Sequence, residues 1–161
     1  MHVATTVTGN SDLLENSGMT VHPLAMHRSR SSVAVVFTEF LEILSLLRKV
    51  TPDIVHLVTI KPVLLGGIAA RVTGVPAVVS AVSGLGFVFV TSGVIARLRR
   101  KVISLLYHLA FWHPNQKVIF QNLDDQSQLS KLAALSTDRS ALIHGSGVDL
   151  SIYKMKLLPK G

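Results

Sequence analysis

The chain has 161 residues, 48% hydrophobic and 16% charged, which excludes an intrinsically disordered segment and suffices for one domain with a core. Its net charge is +7 with the histidines taken as neutral, which favours anionic partners: phosphorylated ligands, anionic lipid or nucleic acid. There are no cysteines, so disulfides and thiolate metal sites are excluded, and a reducing cytoplasm fits.

In chain order, residues 2–7 read as a strand, 12–16 as a short helix stopped at Gly18, and 20–24 as a second strand. A polar, basic loop over 25–32 leads to Ser32, which is placed to cap a helix over 33–50 that Thr51 and Pro52 end. Residues 53–58 form the third strand. The next helix has Pro62 in its first turn and Gly74 just past its end. Residues 76–82 are the fourth strand. A long helix runs from 93 to about 113, stopped by Pro114. Residues 117–121 are the fifth strand, 124–134 a helix and 140–144 the sixth strand. Strands alternating with helices at these intervals predict an α/β, Rossmann-like three-layer domain with a mostly parallel sheet and helices on both faces. One domain is expected over 1–161.

No basic start followed by a long apolar run opens the chain, so no secretory leader is expected. Residues 72–96 carry no charge, yet glycines, Pro76 and short β-branched runs mark buried parallel strands rather than a membrane span.

The crossover over 52–86 is the most informative stretch, because parallel sheets bind ligands at the carboxyl ends of their strands. Thr59 and Lys61 follow one strand end. Lys61 either meets a phosphate or sugar oxygen near a helix N-terminus or is a solvated loop lysine. After the next strand, Ser83, Gly84 and Gly86 bring backbone amides close to a ligand or form a plain turn. The third glycine of a dinucleotide fingerprint is absent. Gly145, Ser146, Gly147 and Asp149 make a second glycine turn, ligand-facing or a hinge. His56, inside an apolar strand, is expected to be buried and hydrogen-bonded. No histidine spacing marks a metal site, no catalytic residue can be assigned, and no cofactor is implied. Asn122 is placed to cap the helix that Asp124 and Asp125 begin.

The long helix has Ile95, Leu98, Val102, Leu105, Leu106, Leu109 and Trp112 on one stripe. Arg97, Arg100, Lys101, Ser104 and His108 lie opposite, with Arg99 near the border. Either the apolar stripe faces the core and the basic face is solvated, or the helix lies on an anionic membrane with Trp112 near the interface. The low aromatic content and lack of a recognition motif argue against nucleic acid.

Four segments carry a resemblance. They are Asp-Ile-Val-His-Leu-Val-Thr-Ile-Lys-Pro (53–62), Gly-Val-Pro-Ala-Val-Val-Ser-Ala-Val-Ser-Gly-Leu-Gly (74–86), Val-Ile-Phe-Gln-Asn (118–122) and Gly-Ser-Gly-Val-Asp (145–149). In this order they resemble the N-terminal domain of bacterial family 4 glycosyltransferases, enzymes of the two-domain GT-B fold that build capsule, O-antigen or exopolysaccharide. The resemblance implies an acceptor-side domain of a retaining transferase, with a saccharide or lipid-linked acceptor. It implies a nucleotide sugar held by a second domain or a separate catalytic chain. It places Thr59, Lys61 and the 83–86 loop on the interdomain cleft and 145–149 on the way to the second domain. It also implies a cytoplasmic protein, peripheral on the inner face of a membrane where the acceptor is lipid-linked. The pattern departs from the family in four ways. The 83–86 loop holds no histidine, Val58 stands where relatives carry one, the opening strand, glycine loop and helix find no counterpart before His2, and the donor-binding domain finds none after Pro159. A piece truncated at both ends and inactive alone is therefore expected. A non-catalytic subunit of a two-chain transferase and a small anion- or nucleotide-binding module are the alternatives.

Overall fold

The computed structural model describes residues 1–6, 11–26, 32–84, 94–145 and 151–152, without the side chains of 94–96 and 99. The elements run β1 (His2–Thr5), α1 (Ser11–Asn16), β2 (Thr20–Pro23), α2 (Val33–Val50), β3 (Ile54–Val58), α3 (Ile60–Thr73) and β4 (Ala77–Val82). They continue with α4 (Val94–Ala110), β5 (Gln116–Phe120), α5 (Leu123–Ala133), a 3-10 turn (Thr137–Arg139) and β6 (Ser140–Leu142). This is the Rossmann-like α/β order that the sequence predicts. Every strand pair is parallel, but the strands fall into two sheets, β1-β2 and β3-β4-β5-β6.

Local chemistry explains the helix boundaries. Ser32 accepts from the Val35 N–H at 3.4 Å, and Thr51 closes α2 in the left-handed conformation. Gly74 closes α3 at φ 72°, returning its N–H to the Ala70 carbonyl. Asn122 starts α5 by accepting from the Asp125 N–H at 2.8 Å.

The register of the larger sheet decides what is buried. Val55 and Leu57 align with Val78 and Ser80, and Val78, Ser80 and Val82 align with Gln116, Val118 and Phe120. These residues share one face. On it the core gathers Leu57, Val78, Val82, Val118 and Phe120 with Val63 and Ala70 of α3, Tyr107 and Ala110 of α4 and Leu129 of α5. Gln116 donates to the buried Ser80 hydroxyl at 3.1 Å, which pairs two polar groups on the covered face, while Gln116 Oε1 meets no partner among the described residues.

The alternate residues lie on the other face. There Ile54, His56, Val58 and Lys117 are exposed, and Val79, Ala81 and Ile119 are half-buried. Helices were expected on both faces. The three right-handed crossovers that build this sheet all advance in one direction, from β3 to β6, and so deliver α3, α4 and α5 to one side. For the same reason His56 is exposed, not buried as its sequence context suggested.

Of the two arrangements open for α4, the one with the apolar stripe against the core is not adopted. Its core contacts come from Tyr107, Ala110 and half-buried Ile103, followed by Phe111. The apolar stripe through Leu98, Val102, Leu105, Leu109 and Trp112 faces outward. Ala110 meets α3 at Gly67, where an added Cβ would lie 2.8 Å from the Ala110 carbonyl oxygen and 3.0 Å from its Cβ. The two helices therefore meet backbone to backbone, through the small side of α4. Ser104 and His108 bond the Leu132 and Ala133 carbonyls at 2.9 and 3.2 Å and tie α4 to the end of α5.

Tyr107 is buried, stacks at a tilt on Phe111 with centroids 5.5 Å apart, and its hydroxyl meets no partner among the described residues. Burial, aided by the Asp125 carboxylate, pushes its phenol up to about 12. An unfolded tyrosine ionises near pH 10, so the neutral phenol favours the fold fully below about pH 10, and that contribution fades as pH rises towards 12. Urea unfolding of the wild type and Tyr107→Phe at pH 9 and 12 should show the variant gaining roughly 2 kcal/mol on the wild type at the higher pH.

Candidate functional site

Parallel strands share one direction, so the segments leaving β3, β4, β5 and β6 all emerge at the same edge. Thr59 follows β3, Ser83 and Gly84 follow β4, Gln121 and Asn122 follow β5, and His144 and Gly145 close the segment after β6. The sequence-predicted residues Thr59, Ser83, Gly84 and Gly145 are thus brought to one edge by the sheet. Gly86, Ser146, Gly147 and Asp149 lie outside the described residues.

Thr59 is the unusual residue of this edge. Its backbone sits at φ 71°, ψ 163°, a region that is essentially glycine's. It is held there from both sides: its N–H bonds the Ala81 carbonyl of β4 at 3.3 Å, and its carbonyl accepts from Val63 of α3 at 3.1 Å. Its side chain is exposed and makes no cap hydrogen bond to α3, although it stands at the N-cap. The hydroxyl is thereby presented at the edge, beside the first amides of α3. Those amides and the helix dipole favour an anion or a polar oxygen. Gly84, at φ 103°, turns the chain after β4 in a conformation that suits glycine. Beyond β6, a Cβ on Gly145 would stand 3.5 Å from Gln121 Oε1, in ordinary contact.

Lys61 lies in the first turn of α3, and its ammonium reaches back to Glu39 of α2, 2.7 Å from Oε1 and 2.6 Å from Oε2. Glu39 is only 3% exposed. A carboxylate this deep requires a cation, so Lys61 ties α2 to the mouth of α3. Glu39 is not among the residues the sequence singles out, yet its signal is there: it is an acid among Val36, Phe40, Ile43 and Leu47 on the core-facing side of an amphipathic helix.

Two concavities bordered by described residues lie away from this edge. One, of about 410 Å³, is lined by Arg100, Lys101, Ser104, Leu105, His108 and Leu132 between α4 and α5. The other, of about 360 Å³, lies at the amino ends of β3, β4 and β5, bordered by Asn115, Lys117 and Arg139. Among the described residues no cluster of histidine and acidic side chains is arranged to hold a metal ion.

The parallel sheet, with polar strand ends and a helix N-terminus at the same edge, defines a Rossmann-like α/β domain. Residues 1–122 match the family model described as glycosyl transferase 4-like, and the chain belongs to that family. The matched region runs from β1 to Asn122 and contains Thr59, Lys61, Ser83 and Gly84. The family's chemistry is glycosyl transfer, with a saccharide acceptor and a nucleotide-sugar donor in general terms. No curated protein matches the chain.

Two substitutions test the edge. Thr59→Gly should raise stability in urea by about 1 kcal/mol, because it relieves the backbone strain. Lys61→Met should lower stability by roughly 3 kcal/mol by leaving a buried carboxylate short of its cation, and adding Glu39→Gln should recover part of that loss.

Proposed function

We propose that this chain is the acceptor-side domain of a retaining glycosyltransferase, with its wall formed by Thr59, Ser83, Gly84 and the first turn of α3. The acceptor is a lipid-linked saccharide of surface-polysaccharide assembly, and the nucleotide sugar is held by a second domain or a separate catalytic chain. Thr59 carries the reading: an exposed hydroxyl kept in a strained backbone at the carboxyl edge of the sheet has no structural use that a relaxed residue would not serve better. The first-turn amides of α3 suit a diphosphate oxygen, and Ser83 adds a second hydroxyl on the neighbouring strand. Lys61 positions this turn through Glu39.

Titration by NMR with a short polyprenyl diphosphate-linked monosaccharide should shift the amides of residues 59–63, 83 and 84. Thr59→Val should weaken that binding about fivefold or more. A nucleotide sugar should leave the same amides in place, and the purified chain should transfer no sugar from it. Turnover by the chain alone, or nucleotide-sugar binding at Thr59 without acceptor binding, would overturn the assignment.

A further inference from the structure

α4 turns its apolar side the wrong way for a helix that merely covers a sheet. Leu98, Val102, Leu105, Leu109 and Trp112 follow one another at steps of four, three, four and three, which is one continuous stripe on a helix. Leu98 is 65% exposed, Leu105 58% and Trp112 63%, so the stripe meets solvent along its whole length. Exposed Val72 of α3 and the Arg71 guanidinium, 5.5 Å from the Trp112 ring centroid, extend the patch. Isolated exposed leucines need no explanation, but a contiguous apolar stripe of this kind marks a contact surface.

The charge beside the stripe identifies what covers it. Arg97, Lys101 and His108 each precede a stripe member by one residue, about 100° around the axis. They are exposed and form a basic band along the apolar one. The band continues into the groove of about 410 Å³ bordered by Arg100, Lys101, Ser104 and His108. A second copy of α4 would bring two bands of like charge together, which opposes self-pairing. A nucleic acid would use the cations but leave the leucines in water. An anionic bilayer uses both: leucines and Trp112 sink to the headgroup–acyl boundary while the cations meet lipid phosphates. No helix among the described residues is long and apolar enough to cross a membrane, so the contact lies in the surface plane.

We propose that the outward face of α4, with Trp112 at its end, docks this protein on an anionic lipid surface, seating phosphate headgroups in the groove beside Lys101. This deepens the proposed function, since a lipid-linked acceptor is met at a bilayer, but its readout needs no sugar.

Trp112 is the chain's single tryptophan and so reports alone. With vesicles of phosphatidylcholine containing about a third phosphatidylglycerol, the protein should float and Trp112 emission should shift to the blue. With phosphatidylcholine alone both effects should be far weaker. The pair Arg97→Gln and Lys101→Gln should weaken binding roughly tenfold or more, and added salt should do the same. The pair Leu98→Ser and Leu105→Ser should abolish the blue shift, while circular dichroism and Tm stay unchanged because both side chains are exposed. Failure to float, or binding untouched by either pair, would sink the proposal. So would oligomers lost in the leucine variant without any vesicle binding, which would reveal a protein partner. Acceptor binding at Thr59 with no flotation would overturn this surface and spare the transferase reading; flotation without acceptor binding would do the reverse.

Discussion

Parallel pairing of β3, β4, β5 and β6 is the constraint on which the rest depends. A parallel pair cannot be joined by a tight turn, so each step needs a crossover, here a helix. Right-handed crossovers advancing one way put α3, α4 and α5 on one face, and the core forms there from alternate strand residues. The same pairing sends every outgoing segment to one edge. Packing and site are therefore consequences of a single geometric choice. The covered face holds the core, and the carboxyl edge gathers the outgoing segments.

Two features show where stability is spent at that edge. Thr59 holds a conformation that few residues accept, and it does so because β4 on one side and α3 on the other fix its peptide groups. Glu39 is buried as an acid and is compensated by Lys61 at two short distances. Both act on the first turn of α3. A hydrophobic residue at position 39 would serve packing as well, so the ion pair reads as a device that orients the turn rather than one that adds stability.

Much of the fold was legible because helix ends are local. Ser32, Thr51, Gly74 and Asn122 act within four residues of themselves, and each stands at the helix boundary its chemistry predicts. The separate β1-β2 sheet, the exposure of His56 and the Glu39–Lys61 pair were harder to read. Each depends on partners distant in sequence: on which strand stands beside which, and on which face the crossovers leave open. Thr59 and Lys61 were picked out by position after a strand. Their different parts, one presented at the edge and one tied beneath it, depended on α2 coming to rest against α3.

The clearest division lies in α4. Its amphipathic character is written in the spacing of Leu98, Val102, Leu105 and Leu109, and no structure was needed to see it. Its orientation was not. Periodicity gives the angle between the apolar and basic bands but not which band meets the core, because both solutions are helices of the same pattern. The choice was made by close packing: Gly67 allows Ala110 to approach its backbone, Tyr107 fills the space beside it, and the larger leucines are left outside. Sequence by itself determined the elements, their caps and the family. Tertiary packing decided which faces are spent on the core and which remain for partners, since that depends on how two surfaces fit and not on either one alone.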